Sequence, residues 1–154
     1  MQTSLGRAEL GVRFVKIESE AEMKLINDIW HSYRALPGWV QFWVFGVLVP
    51  VNFASIFFVD QPSGLWIAFL AIVAILINVP VMIVERGFSK TMALSHIPLW
   101  TWLVVWLLIS RPEGTPAYES YLLVLLIVDA ISLAFDYPDT LRWLKGDRAV
   151  AGSK

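Results

Sequence analysis

The sequence contains no cysteine, which excludes disulfides, thiolate metal sites and cysteine nucleophiles. Histidine is also scarce. His31 and His96 lie on different segments, so the chain has no paired-histidine metal motif and no bis-histidine haem site. Neither a glycine-rich phosphate loop nor a serine-nucleophile motif is present. The net charge of −1 does not suggest a nucleic-acid partner. We therefore expect no metal, no cofactor and no nucleic acid.

Charge is missing from three long stretches of the chain. No charged residue occurs in 35–59, 61–84 or 91–110, and these gaps of 25, 24 and 20 residues reach the roughly 20 that a helix needs to cross a bilayer core. With 57% hydrophobic and 16% charged residues, the chain has too few polar residues to cover three such helices in a water-soluble bundle. The sequence therefore predicts an integral membrane protein in contact with the lipid bilayer.

A fourth span is predicted near the C-terminus. Thr115 and Pro116 are typical of a helix start, and the apolar run that follows continues to Phe135. Asp129 within it costs about 2.5–3.5 kcal/mol on the insertion scale, but each Leu, Ile, Phe or Val returns about 0.3–0.6 kcal/mol, so insertion is still favoured. Short turns favour antiparallel neighbours. We predict an all-α protein with four transmembrane helices in an up-down bundle, at about 37–59, 64–84, 92–110 and 117–136.

Basic residues predict the orientation of the chain. Eleven of the twelve Lys and Arg residues lie before the first span, between the second and third, or after the fourth, whereas the other two loops contain only Arg111. Cytoplasmic loops carry such an excess. We therefore expect both termini, including the 138–154 tail, in the cytoplasm, and we expect the protein in a bacterial inner membrane. The first 34 residues lack the apolar core of a signal peptide, so the first span should direct insertion.

The N-terminal segment, residues 1–35, shows two patterns. Residues 11–17 partly alternate between apolar and polar, which indicates a short strand. From Ser19 the spacing becomes helical, and Ser19 with Glu22 fits a capping box. We expect an amphipathic helix at 19–35 that lies on the inner membrane surface or, equally, docks on a protein partner. Its apolar positions are Ile26, Ile29, Trp30, Tyr33 and Leu36.

Polar residues fall inside the predicted spans. Asp129, Ser132 and Asp136 are spaced i, i+3, i+7 and share one helix face, over a rise of roughly 10 Å. Asn78 and His96 lie at a similar depth in the second and third spans. Because polar groups in lipid need partners, we expect these five side chains to converge, either inside one bundle or between copies. They form the predicted ion pathway.

A purely structural explanation of the same residues stays open. Asp129 pairs in that case with His96 or Arg86 and only fixes the helix packing, while asparagines in the spans act as interhelical hydrogen-bond donors. In either case, charged residues at the inner ends of the second and third spans should form the mouth of the polar cluster. These residues are Glu85, Arg86 and Lys90.

Two prolines lie deep in predicted spans. Pro50 and Pro80 should each free a carbonyl one turn earlier and bend the helix, and the neighbouring Asn52 or Asn78 would satisfy the freed group. Such kinks mark pathways in some transporters, but membrane helices also tolerate proline without a functional reason. Most of the eight tryptophans fit interfacial belts.

Three functions are compatible with this pattern. The first is a homo-oligomeric channel or ion-conducting protein in which Asp129 sets the preference for a cation or a proton. The second is a non-catalytic anchor or accessory subunit of a larger complex. The third is a small membrane enzyme that acts on lipid or quinone, with Asp129 and His96 as acid and base. We favour the first, because an acidic group on a polar face in the bilayer needs water or an ion. No catalytic residue is assigned.

Overall fold

The chain forms five long helices in the part that the structure describes. The computed structural model describes the backbone of residues 2–152 and the side chains of residue 13 and residues 16–152, so Lys154 and the side chain of Arg7, counted above among the basic residues, lie outside it. Four of the helices are long and apolar enough to span a membrane. The bounds are Gln2–Ala35 for α1, Gly38–Phe58 for α2, Gly64–Glu85 for α3, Lys90–Ile109 for α4 and Pro116–Leu144 for α5.

Helix α1 differs from the two-part arrangement that the sequence indicates. The predicted strand at 11–17 is wrong, because these residues continue a helix that begins at Gln2. A lone strand has no neighbour to pair its backbone groups, whereas a helix pairs them internally. Ser19 therefore lies inside the helix rather than at its N-cap, and its hydroxyl donates to the carbonyl of Lys16 at 2.9 Å.

Helices α2 and α3 are irregular near their prolines. In α2, a π-helical segment at Trp43–Leu48 precedes Pro50, and a 3₁₀ segment at Ala54–Phe58 ends the helix. In α3, the regular α-helix is interrupted at Ile77, three residues before Pro80. Such changes in helix type are expected near a residue that cannot donate its backbone hydrogen bond.

Helix α5 is held at both of its ends. The Thr115 hydroxyl caps the start by accepting from the backbone N–H of Tyr118 at 3.3 Å. The helix continues through Pro138 to Leu144, eight residues past the predicted end of the fourth span. In its last turn, the Trp143 indole donates to the hydroxyl of Thr91 on α4 at 2.9 Å. This tertiary contact favours helix beyond the proline.

The four candidate membrane spans, α2 to α5, pack as antiparallel neighbours. Helices α4 and α5 make the most extensive contact, α3 packs on α4, and α2 packs on α3 and α5. Helix α1 contacts the end of α3, and we call the end of the bundle that carries α1 and the C-terminal tail the inner end. Small side chains on α3 permit the close approach of α4. Core residues include Ile67, Ala71, Ala74, Trp100, Leu103, Leu122 and Leu125.

Large apolar side chains cover the outside of these helices. Phe57, Val84 and Ile109 are 79–85% exposed, and similar side chains continue around α2, α3, α4 and α5. Water-soluble monomers rarely expose contiguous apolar patches larger than a few hundred Å². The four helices therefore fit a small multi-pass membrane protein.

Candidate functional site

A polar cluster lies around Asp129 in the middle of the bundle. Asp129 is fully buried near the midpoint of α5, 13 residues after Pro116 and 15 before Leu144. Its Oδ1 accepts a hydrogen bond from the side-chain amide of Asn52 on α2, at 2.8 Å. The Oδ1 of Asn52 in turn accepts from the Trp100 indole of α4, at 3.2 Å. We call Asn52, Trp100 and Asp129 the deep cluster.

The second carboxyl oxygen of Asp129 is buried and has no hydrogen-bond partner among the described residues. Both partners considered from the sequence are engaged elsewhere, His96 with Asp136 and Arg86 with Asp28. A buried charge without a counter-ion is costly. A proton bound at Oδ2 would leave the bond to Oδ1 intact, because the neutral acid still has an acceptor oxygen.

A second polar cluster lies closer to the inner end, between α3, α4 and α5. The Nε2 of His96 lies 2.9 Å from Oδ2 of Asp136, which accepts a hydrogen bond when Nε2 carries a proton. On the other side of the ring, both polar atoms of the Asn78 amide lie near Nδ1, the nitrogen at 3.1 Å and the oxygen at 3.2 Å. Ser95 donates to the Asn78 oxygen at 2.8 Å. We call His96, Asp136, Asn78 and Ser95 the inner cluster.

The inner cluster offers His96 both a hydrogen-bond donor and an acceptor on the Nδ1 side of its ring. A neutral imidazole with its proton on Nε2 needs a donor at Nδ1, whereas an imidazolium needs an acceptor there. The amide of Asn78 offers one of each at nearly equal distances. His96 therefore keeps a partner on both nitrogens in either state.

Ser132 lies between the two clusters on the same face of α5. Its Oγ accepts from the indole of Trp43 on α2, at 3.1 Å. Asp129 lies three residues before Ser132 and Asp136 lies four residues after it. Ser132 is therefore between the two aspartates, which are separated by a rise of roughly 10 Å along α5. All five predicted pathway residues thus pair with polar side chains of other helices within one chain. Four of them belong to two separate clusters rather than one, and Ser132 lies between these clusters.

The polar face of α5 continues toward the outer end. The Tyr121 hydroxyl donates to the carbonyl of Val51 at 3.1 Å, and the Tyr118 hydroxyl donates to the carbonyl of Pro62 in the first outer turn at 2.8 Å. Leu125, which is fully buried, separates these tyrosines from the deep cluster. This face of α5 therefore carries polar side chains at both ends and at its centre, and Leu125 interrupts it with an apolar side chain on the outer side of the deep cluster.

The basic residues of the predicted mouth bind to the flanking segments. Arg86 donates to Asp28 of α1 at 2.8 Å, and Lys90 pairs with Asp147 of the C-terminal tail. The hydrogen bond from Lys90 holds the pKa of Asp147 below its usual value, with a smaller contribution from the backbone N–H of Ala149. These two residues therefore connect the inner turn to α1 and to the C-terminal tail.

Glu85, the third mouth residue, faces the α4–α5 contact instead. Its Oε1 accepts from the hydroxyl of Thr91 at 2.6 Å, and Thr91 accepts from the Trp143 indole. This short chain of hydrogen bonds joins α3, α4 and α5 at the inner end.

Asn52 and Asn78 do not satisfy the carbonyls that the nearby prolines free. Each amide donates to the carbonyl four residues before itself, at 3.1 and 3.3 Å. The carbonyl freed by a proline lies four residues before the proline, and Pro50 and Pro80 are each two residues from the neighbouring asparagine. The asparagines instead connect helices, Asn52 to Asp129 and Asn78 to α4.

Sequence reasoning missed Trp43, Trp100 and Ser95. Interfacial belts do not account for the two tryptophans, because the buried Trp100 indole donates to Asn52 of the deep cluster and the partly buried Trp43 indole donates to Ser132. Trp100 follows His96 by four residues, which places both on one face of α4, and their ring centroids are 4.3 Å apart. That spacing was the available signal for Trp100.

The exterior of α3 and α4 carries a groove that is separate from these clusters. It encloses about 360 Å³ and is lined by Trp66, Phe69, Leu70, Trp102 and Trp106. None of the residues of the deep or inner cluster lines it. The groove is apolar and faces outward, as lipid-facing surfaces do.

The polar clusters do not assemble a metal site, because no three His, Asp or Glu side chains of the described residues are grouped closely enough to hold an ion.

No protein-family model, no curated protein and no solved structure matches the chain. Its function is therefore inferred from the geometry of the two clusters.

Proposed function

We propose that this small multi-pass membrane protein is an ion-conducting protein whose ion is the proton, with Asp129 as the group that binds and releases it inside the bilayer. The observation that carries the proposal is the buried Oδ2 of Asp129, which lacks a partner among the described residues while Oδ1 is held by Asn52. Intramembrane carboxyl and histidine groups are the usual components of proton relays.

The packing of the bundle favours a proton over a larger ion. Leu103, Leu122 and Leu125 are fully buried in the same hydrophobic core as Trp100, so a hydrated metal ion that crossed the bundle would have to displace core side chains. A proton needs only hydrogen-bonding groups and single water molecules. In the proposed route the inner cluster exchanges protons with the aqueous inner side, and Ser132 lies on the way from Asp136 to Asp129.

Oligomerisation is not required for this route. Asp129 is fully buried within a single chain, so a ring of copies around a shared axis would not expose it to that axis without opening the bundle. Assembly of several copies remains a prediction from the sequence. The third hypothesis, an enzyme with Asp129 and His96 as acid and base, is not proposed, because these residues belong to different clusters.

The proposed orientation places the inner end in the cytoplasm of a bacterial cell. It rests on the distribution of Lys and Arg. Met23, Ile26 and Trp30 of α1 are 55–67% exposed. Trp30 packs on Tyr33, which packs edge-on against Phe45 of α2, so this apolar strip continues onto the exterior of the bundle. We propose that α1 lies on the inner membrane surface along this strip.

Proton flux into liposomes tests the proposal. The wild-type protein and Asp129→Asn are reconstituted with an enclosed pH-sensitive dye, and a potassium gradient with valinomycin supplies the driving force. We expect the wild type to acidify the lumen and Asp129→Asn to fall to the rate of empty liposomes. The amide keeps the size of the side chain and an acceptor for Asn52, but it does not bind and release a proton.

Asp139→Asn is the matched control, because Asp139 lies on the same helix with its side chain 41% exposed and pairs with Arg142. It should conduct like the wild type. An Asp129→Asn protein that elutes like the wild type and conducts equally well would reduce Asp129 to a packing role.

An accessory membrane subunit is the second candidate. The observation that favours it is the exposed apolar strip of Met23, Ile26 and Trp30, which a protein partner would cover as well as lipid would. If the wild-type protein moves protons no faster than empty liposomes do, this candidate replaces proton conduction.

A further inference from the structure

The C-terminal tail does not extend away from the bundle. After α5 ends at Leu144, the chain turns at Gly146, whose φ is 98°, and residues 145–152 run back across the inner turn between α3 and α4. We call residues 145–152 the C-terminal strap. Val150 forms an antiparallel bridge with Ser89, and the backbone N–H of Ala151 donates to the carbonyl of Phe88 at 2.8 Å.

The end of α1 packs against the same turn from the other side. The hydroxyl of Ser32 accepts from the backbone N–H of Phe88 at 2.8 Å. Gly87 lies between α1 and the strap, where an added Cβ would come within 2.6 Å of the Ser32 hydroxyl and 2.7 Å of a Val150 methyl. Only glycine fits at this point, so the three segments are closely packed.

The strap lies over the inner end of the α4–α5 pair. Its Asp147 pairs with Lys90, the first residue of α4, and the guanidinium of Arg148 lies 4.8 Å from the centre of the Trp143 ring. Trp143 is the residue that joins α5 to α4 at this end. His96 of the inner cluster follows Lys90 by six residues, a rise of roughly 9 Å. The strap therefore lies over the end of the α4–α5 pair that is nearest to the inner cluster.

Two hydroxyls at the inner end of the bundle are buried without a partner among the described residues, those of Ser89 and Thr140. Ser89 pairs with the strap through its backbone, and Thr140 follows Asp136 by one helical turn on α5. Buried hydroxyls in native proteins normally have a partner, either protein or water. Water that reaches this end of the bundle would supply it.

The attachments of the strap are few and partly exposed. The side chains of Lys90 and Asp147 are 23% and 47% exposed, and within the strap only Val150 and Ala151 are partly buried. The backbone contacts of the strap with the inner turn include the bridge at Ser89 and the bond to Phe88. Elements with few buried contacts open locally without unfolding the rest of the protein. The α4–α5 pair beneath the strap is, by contrast, the most extensive helix contact of the bundle.

We infer that the C-terminal strap is an inner-side gate, which lies over the inner end of α4 and α5 and restricts the access of water to Thr140 and the inner cluster until it is released. The gating of water access stands on the geometry of the strap alone. Its effect on proton flux rests on the proposed function.

A cysteine pair tests the closed position. Because the chain has no cysteine, Ser89→Cys with Val150→Cys introduces a single thiol pair. Directly paired antiparallel residues are close enough for a disulfide. We expect mild oxidation to link this pair, and the link to stop proton flux until a reductant restores it. The control pair, Ser110→Cys with Val150→Cys, joins opposite ends of the bundle and should not form. Absence of the Ser89–Val150 link would overturn the closed position.

Labelling of a buried position tests the gate without proton flux. In an otherwise cysteine-free chain, Thr140→Cys is reacted with a water-soluble maleimide, with and without Asp147→Lys, which places like charges beside Lys90. We expect labelling to be several-fold faster with Asp147→Lys. Asp60→Lys, in the exposed first outer turn, is the control and should leave the rate unchanged.

The two readouts separate the gate from proton conduction. Equal labelling with and without Asp147→Lys rejects the gate, even in a protein that conducts protons. Faster labelling in a protein without proton flux supports the gate and rejects the proposed function.

Discussion

The deep and inner clusters differ in how completely their polar atoms are paired. In the inner cluster both nitrogens of His96 have partners, although Asp136 is 20% exposed and water is close. In the deep cluster Asp129 is fully buried, and one of its oxygens has no partner in the described part of the chain. The less complete hydrogen-bond pairing is thus found in the cluster where water is least able to supply a partner.

This difference in hydrogen-bond pairing bears on the proposed role of each cluster. Near the inner end, an imperfect hydrogen bond is tolerable because water can complete it. At the centre of the bundle, an unpaired oxygen has only protein around it, and such a group is costly. The comparison therefore supports the proposal that Asp129, rather than the inner cluster, is the group that binds a proton inside the bilayer.

Replacing Asn52 should have the largest effect. Asn52→Ala removes the partners of both Asp129 and Trp100, and each buried group left unpaired costs about 1–3 kcal/mol. The measurement is the free energy of unfolding in detergent, followed by circular dichroism. Asn27→Ala, at an exposed position of α1, should lie near the wild type. Equal stability of Asn52→Ala and the wild type would show that the deep cluster does not stabilise the bundle.

Replacing Asp136 should cost less. Asp136→Asn exchanges the charged acceptor of His96 for a neutral one at a partly exposed position, where water can substitute, so we expect a loss of about 1 kcal/mol in the same unfolding experiment. A loss of stability larger than that of Asn52→Ala would contradict the proposed difference between the clusters. Asp139→Asn, three residues further along α5, should change the stability least.

The smallest expected effect concerns the C-terminal strap and pH. The bond from Lys90 lowers the pKa of Asp147 below the ordinary 3.8, so the contact stabilises the strap above that value. The stabilisation is lost as the pH falls through the lowered, folded-state pKa. Amide hydrogen exchange at Ala151, corrected for the intrinsic rate, should therefore show less protection only in strong acid. Asp147→Asn should abolish this dependence, and an identical pH profile in both proteins would refute the assignment.

Much of the fold follows from the sequence, because helix length in a membrane is set by the bilayer and appears as charge-free runs. The positions of Asp129 and Asp136 on one face of α5 also follow from spacing alone. Their partners do not follow, since depth says nothing about the rotation of neighbouring helices. Asp129 meets Asn52 of α2, whereas Asp136, on the same face, meets His96 of α4.

The wrong strand and the unforeseen position of the strap have a related cause. The alternation at 11–17 is a local pattern, and it carried no information on whether a pairing strand existed. The strap has neither helical nor strand periodicity, so the sequence offered no reason to place it against the inner turn. Its position depends on contacts between Val150 and a segment some sixty residues earlier in the chain, which local patterns do not record.

Trp100 touches both polar clusters, through its hydrogen bond to Asn52 and its ring contact with His96. A change of charge on the imidazole would alter the electric field across the indole, and the fluorescence of an indole is sensitive to such a field. The protein thus carries an optical reporter between its two clusters without any added dye.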